Sequence, residues 1–279
     1  MERDALLRET MVTSVERAGV LRSSSIATAM RAVPRHRFLP ETPLDQAYSD
    51  RALAIKTGHG EVLSSISQPS MIALMLELLA PQPGDRVLEV GTGSGYHAAL
   101  LAELVGVTGS VTTTELDGEL SASARETLKR LNYENVYVVT ADGAAMRSAT
   151  QYDRIIVTAR SNDIAAAWWS ALGEGARLVV PLQLEGAGEY AVGFVRRGRR
   201  LESIGVHPCA FLALRGEAER EVESDLFFRD PSLRAGRARV RPVRDVVAVR
   251  RSDARTELLE NADVVIARAV TIFAVNFVS

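Results

Sequence analysis

The chain has 279 residues, of which 47% are hydrophobic and 24% charged, a composition typical of a globular protein with an ample core. Its formal net charge of -2 argues against bulk electrostatic attraction to nucleic acid. A single cysteine, Cys209, excludes an internal disulfide and a cysteine-based metal cluster, and we expect no metal site. No apolar run reaches the roughly 18 residues of a membrane span, and residues 1–19 lack the apolar core of a signal peptide. We therefore expect a cytoplasmic protein without membrane or nucleic-acid partners.

The N-terminal part of the chain predicts helices around an irregular segment. Apolar residues at helical spacing predict a first helix that Gly19 ends. Ser23 to Ser25 can cap a second helix, which must stop before Pro34 because a proline disfavours helical backbone in the preceding residue. Residues 35–68 show little periodicity, and a long irregular segment is usually functional or disordered. A proline suited to a first helical turn then predicts a helix over residues 69–79.

From Pro83 onward, short apolar runs alternate with helical patterns. The predicted strands are "RVLEV", "SVTTTEL", "VYVVTAD", "DRIIVTA" and "ARLVVPL", and the last intervening helix carries Trp168 and Trp169. This alternation predicts an α/β fold, a doubly wound and mostly parallel sheet with right-handed crossovers. "EYAVGFVRR" and "RLESIGVH" flank Gly198 as the strands of a hairpin would, which predicts an antiparallel end to the sheet.

The composition changes after Gly216, and we place a domain boundary near residue 217. The stretch "EAEREVESD" is acidic, and residues 234–255 then contain eight arginines against two aspartates. Such an arginine-rich segment is usually a solvated face, with binding to a partner as the alternative. The chain therefore divides into three predicted parts, residues 1–80, 81–216 and 217–279.

The stretch "VLEVGTGSGYHAAL" places Gly91, Gly93 and Gly95 between a predicted strand and a predicted helix. Glycine lets a ligand approach the main chain closely. The free amides of a helix beginning near Tyr96 would point into the crevice at the carboxyl edge of the sheet. The G-x-G-x-G spacing differs from the G-x-G-x-x-G dinucleotide fingerprint.

Acidic residues follow the next two predicted strands. Glu115 lies twenty residues after Gly95, where a carboxylate can accept hydrogen bonds from ribose hydroxyls. Asp142 and Gly143 end the third strand, where they can meet an adenine amino group. Together these features predict a ligand containing adenosine, with a purely structural turn as the alternative. Glu89 lies inside the first strand, where a carboxylate is costly unless paired, so it either faces a cationic part of the ligand or binds loop amides.

The stretches "VLEVGTGSGYHAALLAELVG", "YDRIIVTA" and "RLVVPL" resemble the class I S-adenosylmethionine-dependent methyltransferases, specifically the protein-L-isoaspartate O-methyltransferase family. "AMRAVPRHRFLPE", "AYSDRALAI", "GHG" and "SISQPSMIALMLELL" resemble the N-terminal region of that family. The resemblance covers about residues 8 to 216. It implies N-terminal helices with an acceptor-binding loop over 1–80, a Rossmann-like cofactor domain over 81–216, and a C-terminal extension over 217–279.

The resemblance also implies S-adenosyl-L-methionine as cofactor and assigns the site residues. The family's acceptor-side serine corresponds to Ser67 in "SISQP", the implied catalytic residue. The implied substrate-binding residues are His59, Gly60, Leu63, Ser64, Ser65 and Gln68. The implied cofactor contacts are Glu89, Gly91, Thr92, Gly93, Ser94, Gly95, Tyr96, Glu115, Leu116, Asp142 and Gly143.

Methyl transfer from a sulfonium to a carboxylate requires alignment more than base catalysis, because the carboxylate is already ionised at neutral pH. Ser67 would hydrogen-bond the acceptor carboxylate and aim one oxygen at the methyl group. The methyl ester is then open to attack by the next backbone nitrogen, with loss of methanol and formation of a succinimide. The expected partner is a peptide or protein carrying aspartate or isoaspartate; the sequence does not indicate an oligomeric state.

Departures from the family pattern bear on the acceptor. The loop "GEVLSSISQP" is longer than in a typical repair enzyme, Lys56 and Thr57 precede it, and compact repair enzymes lack residues 217–279. The "LSSxSxP" form, "AAAWWSAL", "VVPLQLEG" and the C-terminal extension resemble a branch that esterifies an aspartate side chain in ribosomally made modified peptides. That activity, leading to aspartimide, is our sequence-based hypothesis. The alternatives are an isoaspartate repair enzyme and a non-catalytic cofactor-binding partner of a peptide.

Overall fold

The computed structural model describes residues 3–147, 149–184 and 188–216, together with the backbone of four short strands further along the chain. The chain forms two compact units, Met1–Gly143 and Ala144–Ser279. This division differs from the three parts expected from the sequence, whose boundaries remain predictions.

The first unit begins with helices close to those predicted. The helices are α1 (Arg3–Arg17), α2 (Ser24–Ala32), α3 (Leu44–Ala47) and α4 (Pro69–Leu79), with a 3₁₀ turn at Arg35–Phe38 between α2 and α3. Gly19, at φ 73°, lies just beyond the end of α1. Ser23 takes the extended conformation of an N-cap before α2. The helix boundaries predicted at Gly19, Pro34 and Pro69 are confirmed to within a residue or two.

The segment expected to be irregular contains a β-hairpin. Strands β1 (Leu53–Gly58) and β2 (Glu61–Ile66) pair antiparallel, with Gly58 opposite Glu61. His59 at φ 52° and Gly60 at φ 82° form the two-residue turn, and left-handed backbone at both positions suits a type I′ hairpin. Only Ile66 of these two strands is fully buried. The sequence therefore lacks the strict apolar alternation from which a strand is recognised.

Three parallel strands form the sheet of the first unit. They are β3 (Arg86–Val90), β4 (Ser110–Glu115) and β5 (Val136–Thr140), with β4 pairing with both neighbours. The crossover helices are α5 (Tyr96–Val105) and α6 (Gly118–Arg130). The last four residues of β3 and eight of the ten residues of α5 are buried, so the glycine turn between them begins and ends in well-packed structure.

The second unit continues the alternation and then turns antiparallel. Strand β6 (Tyr152–Val157) pairs parallel with β7 (Leu172–Leu184), and α7 (Ala166–Ala171) lies between them in sequence. Strands β8 (Gly188–Arg197) and β9 (Arg200–Pro208) extend β7 in antiparallel order. The predicted hairpin around Gly198 is confirmed, and Trp168 of α7 is fully buried. The fold is thus the predicted α/β Rossmann-like methyltransferase fold, mostly parallel with an antiparallel end.

The four short strands beyond residue 216 are β10 (Leu226–Phe227), β11 (Val246–Val249), β12 (Ile266–Ala267) and β13 (Ala274–Asn276). The predictions for the arginine side chains of residues 234–255 lie outside the described residues. Within the part of the chain that the structure describes, no helix is long and apolar enough to cross a membrane.

Candidate active site

The glycine turn between β3 and α5 takes backbone conformations that favour glycine. Gly91, Gly93 and Gly95 have φ values of 100°, 53° and 86°. The amides of Gly91 and Thr92 both donate to the carbonyl of Thr114 on β4, at 2.9 and 3.0 Å. The turn is therefore fastened to the neighbouring strand through its main chain, and its predicted position at the carboxyl end of β3 is confirmed.

The hairpin β1–β2 lies directly against this turn. A Cβ atom added to Gly93 would lie 3.4 Å from Cδ1 of Ile55, 3.8 Å from Oγ of Ser64 and 4.0 Å from the carbonyl of Ser65. Ser64 and Ser65 are among the residues that the family resemblance assigns to acceptor binding. The structure thus brings predicted acceptor residues from the hairpin to the predicted cofactor turn, a contact between segments about thirty residues apart in sequence.

Gly95 in the turn and Gly143 after β5 are required by packing, because neighbouring side chains leave little or no room for a Cβ atom. A Cβ on Gly95 would lie 3.2 Å from Cδ1 of Leu128 on α6. A Cβ on Gly143 would lie 2.4 Å from Oγ1 of Thr114 and 2.6 Å from Cγ1 of Val90, which is closer than real side chains approach. Close approach of neighbouring elements therefore accounts for glycine at these positions, whatever their part in cofactor binding.

Glu115, at the end of β4, is held by main-chain amides. Its Oε2 accepts from the amide of Gly93 at 2.9 Å, and its Oε1 accepts from the amide of Asp117 at 3.1 Å. The residue is 8% exposed. An ionised carboxylate can accept about four hydrogen bonds, so two acceptor positions remain for hydroxyl groups of a ligand. This geometry fits the predicted ribose-binding role.

Glu89 is fully buried on β3, and its carboxylate binds side chains rather than the loop amides considered from the sequence. Oε1 lies 2.7 Å from Nδ1 of His97, and Oε2 accepts from the hydroxyl of Thr113 at 2.6 Å. The hydroxyl of Thr113 also lies 2.7 Å from that of Thr92 in the glycine turn. Glu89 is therefore paired, and it connects β3 to the turn through Thr113. Its predicted contact with the cofactor remains a prediction.

The remaining predicted residues lie around these groups. Leu116 follows β4 and is 44% exposed, and Asp142 lies two residues beyond β5. Gln68 is the N-cap residue of α4, and its amide nitrogen Nε2 donates to Oγ of Ser70 at 2.8 Å. Ser67 lies between β2 and α4, and its carbonyl accepts from Nη2 of Arg35 at 2.9 Å. Further residues of the proposed site are half-buried (Leu63 and Ser94) or lie at the exposed hairpin turn (His59 and Gly60).

Lys56 is a functional candidate that the sequence marked only as a departure from the family pattern. Its Nζ lies 2.6 Å from Oδ2 of Asp117 and 2.7 Å from Oε2 of Glu119, at the beginning of α6. The hydrogen bond between the two side chains raises the pKa of Lys56 and lowers the pKa of Asp117. The amide of Asp117 in turn donates to Glu115. Lys56 therefore fastens the hairpin beside the predicted ribose-binding acid.

We predict that replacing Lys56 with Met lowers the free energy of unfolding only at pH values where Lys56 and Asp117 are both charged. The contribution of Asp117, whose pKa is lowered by folding, is present above its ordinary value of 3.8 and is lost as pH falls through the folded value. The contribution of Lys56, whose pKa is raised, is present below its ordinary value of 10.5 and is lost as pH rises through the folded value. Urea unfolding of the wild type and of Lys56→Met across pH measures the difference.

The exposed Lys129 near the end of α6 supplies the control for this experiment. The free energy of unfolding of Lys129→Met should differ little from that of the wild type at every pH. A Lys56→Met difference that persisted unchanged at pH 2 would show that lost packing, rather than the ion pair, causes the effect.

The fold and site define a class of protein. A glycine turn follows β3 of the doubly wound sheet, and main-chain amides hold an acidic residue at the end of β4. This is the arrangement of a class I S-adenosylmethionine-dependent methyltransferase. The protein family described as Protein-L-isoaspartate(D-aspartate) O-methyltransferase (PCMT) matches residues 6–219. The chain belongs to this family and is an S-adenosylmethionine-dependent protein carboxyl O-methyltransferase.

Individual relatives agree with the family match. Protein-L-isoaspartate O-methyltransferase of Methanopyrus kandleri is 41% identical over 218 residues, covering 75% of this chain and 92% of the relative. The enzyme of the same name from Pyrobaculum arsenaticum is 38% identical over 211 residues, covering 75% of this chain and 100% of the relative.

Two solved structures extend the comparison. One, named protein-L-isoaspartate O-methyltransferase, has a TM-score of 0.72 and 26% identity, and the match covers 98% of this chain and 88% of that one. Another, from Plasmodium falciparum and in complex with S-adenosyl-L-homocysteine, has a TM-score of 0.66 and 21% identity, and the match covers 75% of this chain and 98% of that one. The second shows likeness of fold alone.

Proposed function

We propose that the chain esterifies the free carboxylate of an L-isoaspartyl residue in peptides and proteins, as the names of its relatives state for them. The observation that supports this proposal is the contact between the hairpin and Gly93, because it brings Ser64 and Ser65, predicted to bind the acceptor, beside a turn predicted to bind the cofactor. In an isoaspartyl residue the side-chain carboxyl forms the peptide bond and the α-carboxylate is free. That carboxylate is the acceptor.

The polar groups around the turn support the proposed cofactor. Gly93 presents no side chain at the turn, and the hairpin packs beside it, 3.4 to 4.0 Å from where its Cβ would be. Glu115 is fixed by two amides and keeps acceptor capacity for ribose hydroxyls. The first turn of α5 offers main-chain donors and a positive dipole end to a ligand carboxylate. Gly91, Gly93 and Glu115 would hold the cofactor.

Bound S-adenosylmethionine would supply an electrophilic methyl carbon: a C–O bond to the carboxylate forms as the C–S bond breaks, and S-adenosyl-L-homocysteine is the leaving group. The chain's own residues provide alignment. Ser67 would donate its hydroxyl to one acceptor oxygen and leave the other free to react. The hairpin residues Ser64 and Ser65 would bound the acceptor on the side of Gly93 and limit water there. No strong base is needed, because the acceptor is ionised at neutral pH.

The C-terminal extension no longer favours a peptide-tailoring enzyme over a repair enzyme. Residues beyond 219 lie outside the family match, and the relative from Pyrobaculum arsenaticum aligns over its whole length with 75% of this chain. The solved structure named protein-L-isoaspartate O-methyltransferase, however, covers 98% of this chain. A chain of this extent is thus compatible with isoaspartyl methylation. Methylation of an ordinary aspartate in a modified ribosomal peptide is the alternative outcome of the test.

The test is a pair of linear peptides of identical sequence that differ only in one isoaspartyl or aspartyl linkage. The full-length chain is incubated with labelled S-adenosylmethionine and each peptide, and methyl transfer is counted. We expect transfer to the isoaspartyl peptide and at most background transfer to the aspartyl one. Transfer to the aspartyl peptide alone would contradict the proposal and support the tailoring alternative.

A further inference from the structure

Arg35 is a fully buried cation at the N-terminal side of the candidate site. It begins the 3₁₀ turn Arg35–Phe38, in the stretch "VPRHRFLP". This stretch is part of the family resemblance, which assigns no role to Arg35. The surrounding residues are largely apolar, so neither spacing nor charge patterning indicated that this arginine differs from the exposed Arg37 two residues later.

The guanidinium of Arg35 joins three separate segments of the first unit. Its Nε donates to the carbonyl of Ala47 at 2.9 Å, and its Nη2 donates to the carbonyl of Ser67 at 2.9 Å. Its Cζ lies 5.0 Å from the centre of the Tyr96 ring, within the range of a cation–π contact. Phe38 packs edge-on against the same ring, with the ring centres 5.6 Å apart. Arg35 thus holds Tyr96 and Ser67 together.

Burial of a charge at this position is costly, which argues that it does more than fill space. Burial lowers the pKa of Arg35, yet a guanidinium stays protonated in proteins because its ordinary pKa is so high. Among the described residues, Nη1 of Arg35 and the hydroxyl of Tyr96 are buried without a well-formed hydrogen bond, and the two groups interact with each other electrostatically. An apolar side chain of similar size would avoid both the desolvation and the poorly satisfied donor. The guanidinium fork is what lets one side chain hold two carbonyls and a ring.

The two groups that Arg35 connects belong to opposite sides of the proposed reaction. Ser67 is the predicted acceptor-side serine, and Tyr96 begins α5 at the end of the cofactor turn. We propose that Arg35 is a positioning residue for methyl transfer, which fixes the main chain of Ser67 relative to Tyr96 and so sets the distance between acceptor and methyl donor. It acts through the carbonyl of Ser67 without touching the substrate. This inference rests on the proposed function.

The test compares Arg35→Lys with Arg31→Lys. Lysine keeps the charge but cannot reproduce the fork. We expect Arg35→Lys to lower kcat on the isoaspartyl peptide on the order of tenfold to a hundredfold, because small misplacements of reacting groups have effects of that size. The dissociation constant of S-adenosyl-L-homocysteine should change far less. Arg31 binds Glu9 and Glu16 of α1 by the same kind of forked contact, and Arg31→Lys should leave kcat unchanged.

Hydrogen exchange supplies a second readout that does not depend on activity. In Arg35→Lys, amides of residues 61–68 should exchange faster than in the wild type, whereas Arg31→Lys should leave that segment unchanged. If Arg35→Lys fails to fold, Tyr96→Leu, which removes the ring under the guanidinium, should speed exchange in the same segment. Wild-type kcat together with wild-type exchange in residues 61–68 overturns the proposal. Failure of the wild type to methylate the isoaspartyl peptide refutes the proposed function, and the exchange result still decides whether Arg35 holds Ser67.

Discussion

Replacing Gly93 with Val should abolish binding of S-adenosyl-L-methionine while the chain remains folded. A valine Cβ at this position would lie 3.4 Å from Cδ1 of Ile55, so its methyl groups would press against the hairpin and displace the turn that is predicted to hold the cofactor. The left-handed backbone at φ 53° adds strain of about 1–2 kcal/mol for a residue with a Cβ. Calorimetric titration with S-adenosyl-L-homocysteine measures the loss, and near-ultraviolet circular dichroism monitors the fold.

Gly19→Val is the matched control for this substitution. Gly19 has a left-handed φ of 73°, and a Cβ there would meet nothing within 4 Å. The control therefore introduces the same backbone strain without blocking a site. We expect it to lose stability and retain cofactor binding. Equal cofactor affinity in folded Gly93→Val and wild-type protein would contradict the assignment of the cofactor site.

Replacing Ser67 with Ala should reduce turnover much more than cofactor affinity. The hydroxyl would contribute one hydrogen bond to a charged group, worth about 1.5–3 kcal/mol. If that bond is made in the transition state, its loss corresponds to roughly a tenfold to hundredfold lower rate. Steady-state kinetics on the isoaspartyl peptide and calorimetry with S-adenosyl-L-homocysteine separate the two effects.

Ser67→Ala removes only a hydroxyl group, so its control is another serine whose hydroxyl makes only a local contact. The hydroxyl of Ser49 donates to the carbonyl of Gln46, three residues earlier in α3, at 2.7 Å. Ser49→Ala should keep wild-type kcat and KM. The proposed role of Ser67 would be wrong if folded Ser67→Ala turned over the acceptor at the wild-type rate.

The sequence predicts the strand and helix alternation well because its signals are local. Apolar runs such as "RVLEV" match β3, and Pro69 marks the first residue of α4. The glycine turn is recognisable because each of its three glycines stands where the backbone is left-handed. These features depend on a few adjacent residues, so no knowledge of tertiary packing is needed.

The sequence predicts the site's long-range contacts poorly. The hairpin β1–β2 has only one fully buried residue and therefore no clear alternation, and its packing against Gly93 is a tertiary contact. Arg35 is fully buried, but its sequence neighbours do not reveal the carbonyls that it binds. The partners of Glu89 are likewise a histidine on α5 and a threonine on β4, which lie together only in the folded chain.

The choice between repair and tailoring shows a different limit. The longer loop and the residues beyond 216 are departures from a compact family pattern, and they led to a peptide-tailoring hypothesis. A solved structure named protein-L-isoaspartate O-methyltransferase covers 98% of the chain, so its length does not distinguish the two activities. The acceptor is set by contacts that discriminate between two carboxylates, and specificity of that kind is a difference of affinities that sequence motifs do not encode.

A competition experiment determines which carboxylate the enzyme methylates. The full-length chain and S-adenosylmethionine are mixed with equal amounts of three acceptors, a linear isoaspartyl peptide, its aspartyl isomer and a macrocyclic aspartyl peptide, and mass spectrometry follows all three. We expect that the isoaspartyl peptide alone gains the mass of one methylene and then loses methanol as the succinimide forms. Methylation of the macrocyclic aspartyl peptide, with the isoaspartyl peptide left unmodified, would contradict it.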